Sequence, residues 1–273
     1  PELLELEVLK ENLTSQIKGK KIESLYVLKP YVLKNYFIGD LHAEKVLDIQ
    51  RRGKFLIIKL TTHKIIIHLM LHGSIKYVLP GKVKKSSAAL LRFVDGTVLE
   101  MNEMGSKKRM SIYVIPNAES IKKINGLGIE PCAHDFTEEK LQALLKEESR
   151  QVKSLLCDQK KIAGIGNAYA DEILWQAELS PFKITTRFTR REVKKLHQAI
   201  TAVLHWAIDK VREKGVSESR DFLNIHNCVA RPCPRCGERI ASVWFSGKAT
   251  NYCPKCQTKG RKLKDRRLSK LFR

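Results

Sequence analysis

Four of the seven cysteines fall into two CxxC pairs, CPRC at 233–236 and CPKC at 253–256. Thiolates at that spacing can close a tetrahedron around one zinc ion, with a β-hairpin between the two knuckles. Cys233, Cys236, Cys253 and Cys256 would fill every position on the metal, so the site holds structure together and activates no water. Cys228 and His226 stand nearby but outside the pattern and are not counted as ligands. The three scattered cysteines do not resemble an even, secreted disulfide framework, and reduced thiols are expected.

A second chemical group stands at the other end, where the chain reads PELLELE. With the initiator methionine removed, Pro1 carries a secondary amine. An α-amino group has an ordinary pKa near 8, so much of it is unprotonated at neutral pH and able to attack an electrophilic carbon. The adjacent Glu2 carboxylate can move protons. A third stretch, DQKKIAGIGNAYADEI at 158–173, places Gly164 and Gly166 at a tight turn before Asn167. A helix opening there would face its free N–H groups toward a phosphate, with Lys160 and Lys161 beside it. Two weaker signals are RRGK, with Arg51, Arg52 and Lys54 at the start of a strand, and HLMLHG at 68–73, which read alone is a buried strand end.

The elements that must position these groups follow from periodicity. Leu6, Leu9, Leu13 and Ile17 recur at helical spacing and Gly19 marks a stop, so the chain opens on an amphipathic helix. Short β-branched runs follow at IESLYVLK, KFLIIKL, KIIIHLML, ALLRFV and TVLEM, with Asp95-Gly96 as a hairpin turn between the last two. Residues 1–115 therefore read as a helix plus a largely antiparallel β-sandwich. Residues 116–136 are rich in turn formers and read as a linker, and Thr137 is an N-cap. Helical periodicity dominates 137–225, and 226–273 is cysteine-rich, then basic. At 273 residues and 43% hydrophobic content the chain can bury real cores. Lys plus Arg outnumber Asp plus Glu by 51 to 29, for a net charge of +22, which points to a polyanion, above all nucleic acid. No apolar stretch approaches 18 residues and no signal-peptide pattern opens the chain, so a membrane is not expected and the cytoplasm, on the nucleoid, is.

In their order along the chain, PELLELE, RRGK, KKIAGIGNAYADE and the two CxxC pairs resemble the formamidopyrimidine-DNA glycosylase / endonuclease VIII family of base-excision repair enzymes. The resemblance covers almost the whole length. It implies an α+β multidomain fold of an N-terminal helix with β-sandwich, a helix-two-turn-helix domain and a C-terminal zinc ribbon with one structural zinc. It further implies a monomer acting on double-stranded DNA that contains damaged bases or abasic sites. In such an enzyme Pro1 is the nucleophile of a glycosylase and abasic-site lyase, Glu2 the proton carrier with Glu5 beside it, and Lys54 contacts the phosphate near the lesion. Arg52, Lys160, Gly166, Asn167 and Lys248 are then expected on the DNA backbone. A damaged base must be flipped out of the duplex, and Met70, Leu71 and His72 match the void-filling positions.

The sequence also departs from the pattern. Leu4 stands where proline is usual, and the second wedge segment, Asp-Pro-Arg-Arg-Phe-Gly, is replaced by NEMGSKKRMSIY. Only eleven residues separate Asp221 from Cys233, where a long base-capping loop is usual, and Lys248 replaces an arginine. These departures leave open a lyase with little glycosylase activity, or a non-catalytic binder of damaged DNA.

Overall fold

The computed structural model describes residues 1–37, 39–79, 84, 86–106, 108–216, 220–245 and 247–263. The basic tail expected beyond the ribbon lies outside the described residues from 264 onward. The chain divides into two compact units, Pro1–Gly126 and Leu127–Arg273.

The first unit opens with helix α1 (Leu3–Ile17), whose buried face carries Leu6, Leu9, Leu13 and Ile17 as the periodicity requires. Two four-stranded antiparallel sheets follow. One has the order β1 (Ile22–Val27), β6 (Ala89–Phe93), β7 (Val98–Glu103), β5 (Gly73–Val78). The other runs β2 (Val46–Arg52), β3 (Phe55–Leu60), β4 (His63–His68), β8 (Ser111–Pro116). Their inner faces share one core, in which Ile58, Ile65 and Ile67 meet Leu91, Phe93 and Leu99, with α1 laid against β2 and β3. The five predicted apolar runs lie in β1, β3, β4, β6 and β7. A four-residue helix, α2 (Lys122–Asn125), closes the unit.

The second unit contains α3 (Glu138–Glu147), α4 (Val152–Leu156), α5 (Asn167–Gln176) and the long α6 (Arg190–Lys214). Thr137 caps α3 by accepting from the Lys140 N–H at 3.3 Å, and Thr189 with Glu192 forms a reciprocal capping box on α6. A two-stranded hairpin, β9 (Ala241–Phe245) and β10 (Lys248–Tyr252), and the short α7 (Pro254–Thr258) complete a cysteine-bearing ribbon.

Candidate functional sites

At the head of α1, Glu5 is buried and its Oε2 accepts the Glu2 backbone N–H at 2.7 Å. That hydrogen bond fixes the backbone on which Pro1 and Glu2 sit, so Glu5 stands behind the first two residues. Leu4, the departure from proline, is fully buried and serves the core. One turn further, Glu7 Oε2 meets Arg51 Nε at 2.6 Å, and Arg51 Nη1 donates to the Gly53 carbonyl at 3.1 Å. Burial opposes ionisation of Glu7, but hydrogen bonds from Arg51 and Lys10 outweigh it and hold the carboxyl below its usual range. The pair ties α1 to the β2–β3 turn. Arg52 pairs with Phe55, so Gly53 and Lys54 form a two-residue connection, with Gly53 at φ +55°. Lys54 is carried at this turn.

His68, at the end of β4, reports on the same corner. Its Nδ1 accepts the Met70 N–H at 3.0 Å and its ring meets Phe55 edge-on at 4.6 Å. Burial first, then the positive charges of Lys54, the Pro1 amine and Lys123, press its pKa down to about 4. The imidazole is therefore neutral at pH 7. An ordinary histidine takes up its proton near 6.5, so as pH falls below that value the unfolded chain binds a proton the folded one refuses. Stability should fall by about 3 kcal/mol between pH 6.5 and pH 4 on this account. His68→Asn, which keeps an acceptor for the Met70 amide, is expected to show a shallower acid loss in urea titrations. An unchanged pH slope would show that His68 protonates freely in the fold.

Beyond His68 the chain turns sharply. Met70 adopts φ +56°, and Gly73 donates to the Leu69 carbonyl at 2.9 Å. A Cβ at residue 73 would stand 2.3 Å from that carbonyl oxygen, so only glycine closes the turn. Leu69 is 2% exposed and anchors the loop, whereas Leu71 is 68% exposed at its tip. HLMLHG is thus a strand end plus a projecting turn rather than core throughout.

The sequence reading missed a neighbour of this tip. The Met104 N–H donates to the His72 carbonyl at 3.1 Å, the His72 ring lies against Gly105, and the Met104 side chain is 68% exposed. Glu103 holds the base of this second loop: its Oε1 accepts the N–H groups of Arg109 at 2.6 Å and Met110 at 2.8 Å. Two exposed apolar side chains, Leu71 and Met104, therefore stand on adjoining loops.

In the second unit the glycine-rich turn is stapled by Gln159. Its Nε2 donates to the Ile165 carbonyl at 2.7 Å and its Oε1 accepts the Gly164 N–H at 2.9 Å, with Gly164 at φ +95°. Gly166 is the N-cap of α5 and Asn167 its first residue. Asn167 Nδ2 donates to the Ala249 carbonyl of β10 at 3.0 Å. Asn167, Lys248, Thr250, Arg150 and Lys153 line one cavity of about 330 Å³. It gathers cationic side chains at a helix N-terminus, the arrangement that suits an anion. Lys160 is exposed and does not line this cavity, and Arg52 belongs to the first unit, so the predicted backbone contacts are not gathered in one cavity. Arg150 was not singled out by spacing; its guanidinium meets Asp158 at 2.9 Å.

The ribbon is fastened to α5 through buried charge. Asp171 Oδ1 pairs with Lys153 Nζ at 2.6 Å, while Oδ2 meets His226 Nδ1 at 2.8 Å and Asn251 Nδ2 at 3.0 Å. Glu172 accepts the N–H groups of Asn224, Ile225 and His226 at 2.7–3.1 Å. Its burial nevertheless raises its pKa above the usual carboxylate value.

The sulfur atoms of Cys233, Cys236, Cys253 and Cys256 all lie within 4.8 Å of one another. The separations Cys236–Cys253 and Cys236–Cys256 are each 3.4 Å, and Cys233–Cys256 is 4.0 Å. A tetrahedron with metal–sulfur bonds of about 2.3 Å has edges of about 3.8 Å, so the cluster fits a zinc-sized ion. His226 is held by Asp171 and lies outside the cluster.

Three family models match the chain: the formamidopyrimidine-DNA glycosylase N-terminal domain over residues 1–109, the formamidopyrimidine-DNA glycosylase H2TH domain over 127–219, and a zinc finger found in FPG and IleRS over 231–259. The formamidopyrimidine-DNA glycosylase of Enterococcus faecalis is 33% identical, with 97% of this chain and 100% of that protein covered. That of Pelotomaculum thermopropionicum is 32% identical, over 94% and 99%. Among solved structures, Lactococcus lactis FPG in complex with an oxidised-pyrimidine-containing DNA superposes with a TM-score of 0.85 at 27% identity, covering 94% of this chain and 100% of that one. A point mutant of the Lactococcus lactis protein with a Fapy-dG-containing DNA gives 0.84 at the same identity and coverage. A sandwich headed by a helix, a helical unit and a four-cysteine ribbon in one chain define a DNA repair glycosylase. The chain belongs to the formamidopyrimidine-DNA glycosylase family.

Proposed function

We propose that the protein is a bifunctional DNA glycosylase and abasic-site lyase with Pro1 as nucleophile. The unprotonated Pro1 nitrogen attacks C1′ of the flipped deoxyribose, and the bond to the base breaks with its electron pair, the base leaving with a proton. The C1′–O4′ bond then breaks as O4′ takes a proton, opening the ring and leaving an iminium between the Pro1 nitrogen and C1′. The iminium draws electrons from C2′, so a C2′ proton is lost and the C3′–O bond breaks to release the 3′ phosphate by β-elimination; loss of a C4′ proton then releases the 5′ phosphate by δ-elimination. Glu2 carries protons between the sugar oxygen and the leaving groups. Glu5 positions Glu2, and Lys54 and Arg52 hold the phosphate beside the lesion. What supports this reading is that the Pro1 amine and Lys54 both stand close enough to His68 for their positive charges to lower its pKa, while Glu5 fixes the Glu2 backbone. Borohydride added with abasic DNA tests it. It should reduce the iminium in place and leave a covalent adduct that maps to Pro1 by peptide mass. An adduct on any lysine instead would overturn the assignment.

The same reading makes the protein a monomer on damaged duplex DNA, with zinc in the cysteine cluster, working in the cytoplasm on the nucleoid. No helix among the described residues is long and apolar enough to cross a membrane. Phosphate binding is assigned to Asn167, Gly166 and Lys248, with Lys160 on a neighbouring phosphate. For about five neutralised phosphates the slope of log affinity against log salt should be about −4.5. Lys248→Ala should flatten it by about one unit, read by fluorescence anisotropy at several salt concentrations. An unchanged slope would take Lys248 off the backbone.

With few residues between Asp221 and the first knuckle to cover a bulky base, abasic sites should react best, oxidised pyrimidines next and 8-oxoguanine poorly. Leu71, flanked by Met70 and His72, fills the vacated stack. Leu71→Ala should slow single-turnover excision from duplex on the order of tenfold, while sparing cleavage of a single-stranded abasic substrate, where no stack has to be held open. Equal duplex rates for variant and parent would return the loop to a packing role.

A further inference from the structure

Three of the α5 residues that touch the ribbon are spaced by four: Asn167 through Ala249, Asp171 through His226 and Asn251, and Trp175. The first two contacts are made to backbone and polar side chains. The third is made to the metal cluster itself. Trp175 Nε1 donates to Cys233 Sγ at 3.3 Å, in a buried contact. Trp175 is 8% exposed and Cys233 2%. The indole is also held by Arg235, whose guanidinium lies 4.4 Å from the ring centroid and whose Nη1 donates to the Trp175 carbonyl at 2.9 Å. Arg235 lies inside the first CxxC knuckle, so the knuckle clasps the ring whose N–H points at its leading cysteine.

We propose that Trp175 is a positioning residue for the metal site: its indole N–H is a hydrogen-bond donor to the Cys233 thiolate, and it holds both the charge of that sulfur and the docking of the first knuckle on α5. The proposal rests on the cluster holding zinc. A thiolate bound to a dication keeps residual negative charge, and four of them around one zinc leave a net negative charge on the site. In a buried, largely apolar setting that charge needs donors, and groups of this outer kind commonly change metal affinity by about 10–100-fold when removed. The indole N–H is a donor only and never competes for the metal. It cannot be replaced by a water while the ring fills the space. Trp206, on α6, is spent differently, meeting Phe222 edge-on at 5.6 Å.

The test uses the full-length protein loaded with one equivalent of zinc, and in parallel with cobalt(II) as a spectroscopic substitute. Trp175→Phe keeps a ring against Arg235 and removes the N–H. It should release zinc to a chelator at least tenfold faster than the parent. In the cobalt form its sulfur-to-metal charge-transfer band should move to longer wavelength, because an unbonded thiolate lone pair lies higher in energy. Replacement of Trp175 by 3-benzothienylalanine, which has the indole's shape and sulfur in place of N–H, guards against a packing defect and should give the same band shift. Arg235→Gln, which loosens the ring's support but leaves the N–H, should leave the band in place. Parent-like release and an unmoved band in both ring variants would overturn the proposal. Failure of the parent to bind one equivalent of either metal would instead overturn the zinc assignment on which it stands.

Discussion

A chain that retains methionine ahead of Pro1 is expected to lose cleavage of abasic DNA by on the order of 10³-fold or more, the scale on which loss of an enzyme's nucleophile is felt. An amide nitrogen has no available lone pair, so the extra residue removes the nucleophile we propose without altering any side chain. The fold should be unaffected, since Glu5 still accepts the Glu2 amide and Leu3, Leu4 and Leu6 remain in the core. Affinity for an uncleavable abasic analogue should change far less than rate. Pro1→Gly, which supplies a primary amine, should keep partial activity and still be trapped by borohydride. Glu2→Gln should retain amine trapping but lose base release. Blocked protein that cut abasic DNA at the parental rate would place the nucleophile elsewhere.

Removal of the metal is expected to have the second large effect, a loss of DNA affinity of about 100-fold or more, together with local unfolding of the ribbon. Structural zinc supplies folding free energy on the order of 10 kcal/mol, far more than the few contacts of so short a segment. Lys248 and Thr250 reach the anion cavity only because β10 is docked on α5, and that docking depends on the hairpin between the knuckles. Cys253→Ser or a strong chelator should therefore abolish DNA binding while leaving α6 and the sandwich folded, as far-UV circular dichroism would register. Readdition of zinc should restore binding to chelated parent and not to the variant. Full affinity in metal-free protein would detach the ribbon from DNA recognition.

What was legible beforehand was whatever is written locally. Cys233, Cys236, Cys253 and Cys256 announce their site by spacing, Gly164 and Gly166 by the turn they permit, and α1 and α6 by their apolar stripes. Strands β2, β5 and β8 were not predicted as strands. The β2 run VLDIQRR buries only Val46 and Ile49 among charged residues, and β5 begins at a glycine whose role depends on Leu69. The rest was hidden because it is non-local. Met104 stands beside the Leu71 loop through the pairing of Gly73 with Glu103 and its own bond to His72, and Trp175 meets Cys233 across 58 positions of chain. Arg150, just before α4, lines the same cavity as Lys248 and Thr250 of β10, which no window of sequence displays.

The α5 residues Asn167, Asp171 and Trp175, which all meet the ribbon, stand in a compact row only when that stretch is helical. At 1.5 Å per residue the row is about 12 Å long, whereas an extended chain would spread the same residues over about 26 Å, too far for one small ribbon to meet them all. Assembly consequently has a direction in time. The helix must exist before the ribbon can settle on it, and the ribbon's cysteines follow α5 in synthesis, which proceeds at about 5–20 residues per second. A metal site that uses all four cysteines can close only once Cys256 has been made, after every residue of α5. On the zinc reading proposed above, a cell short of that metal would make chains whose sandwich and helices are finished and whose grip on DNA is still waiting to be loaded.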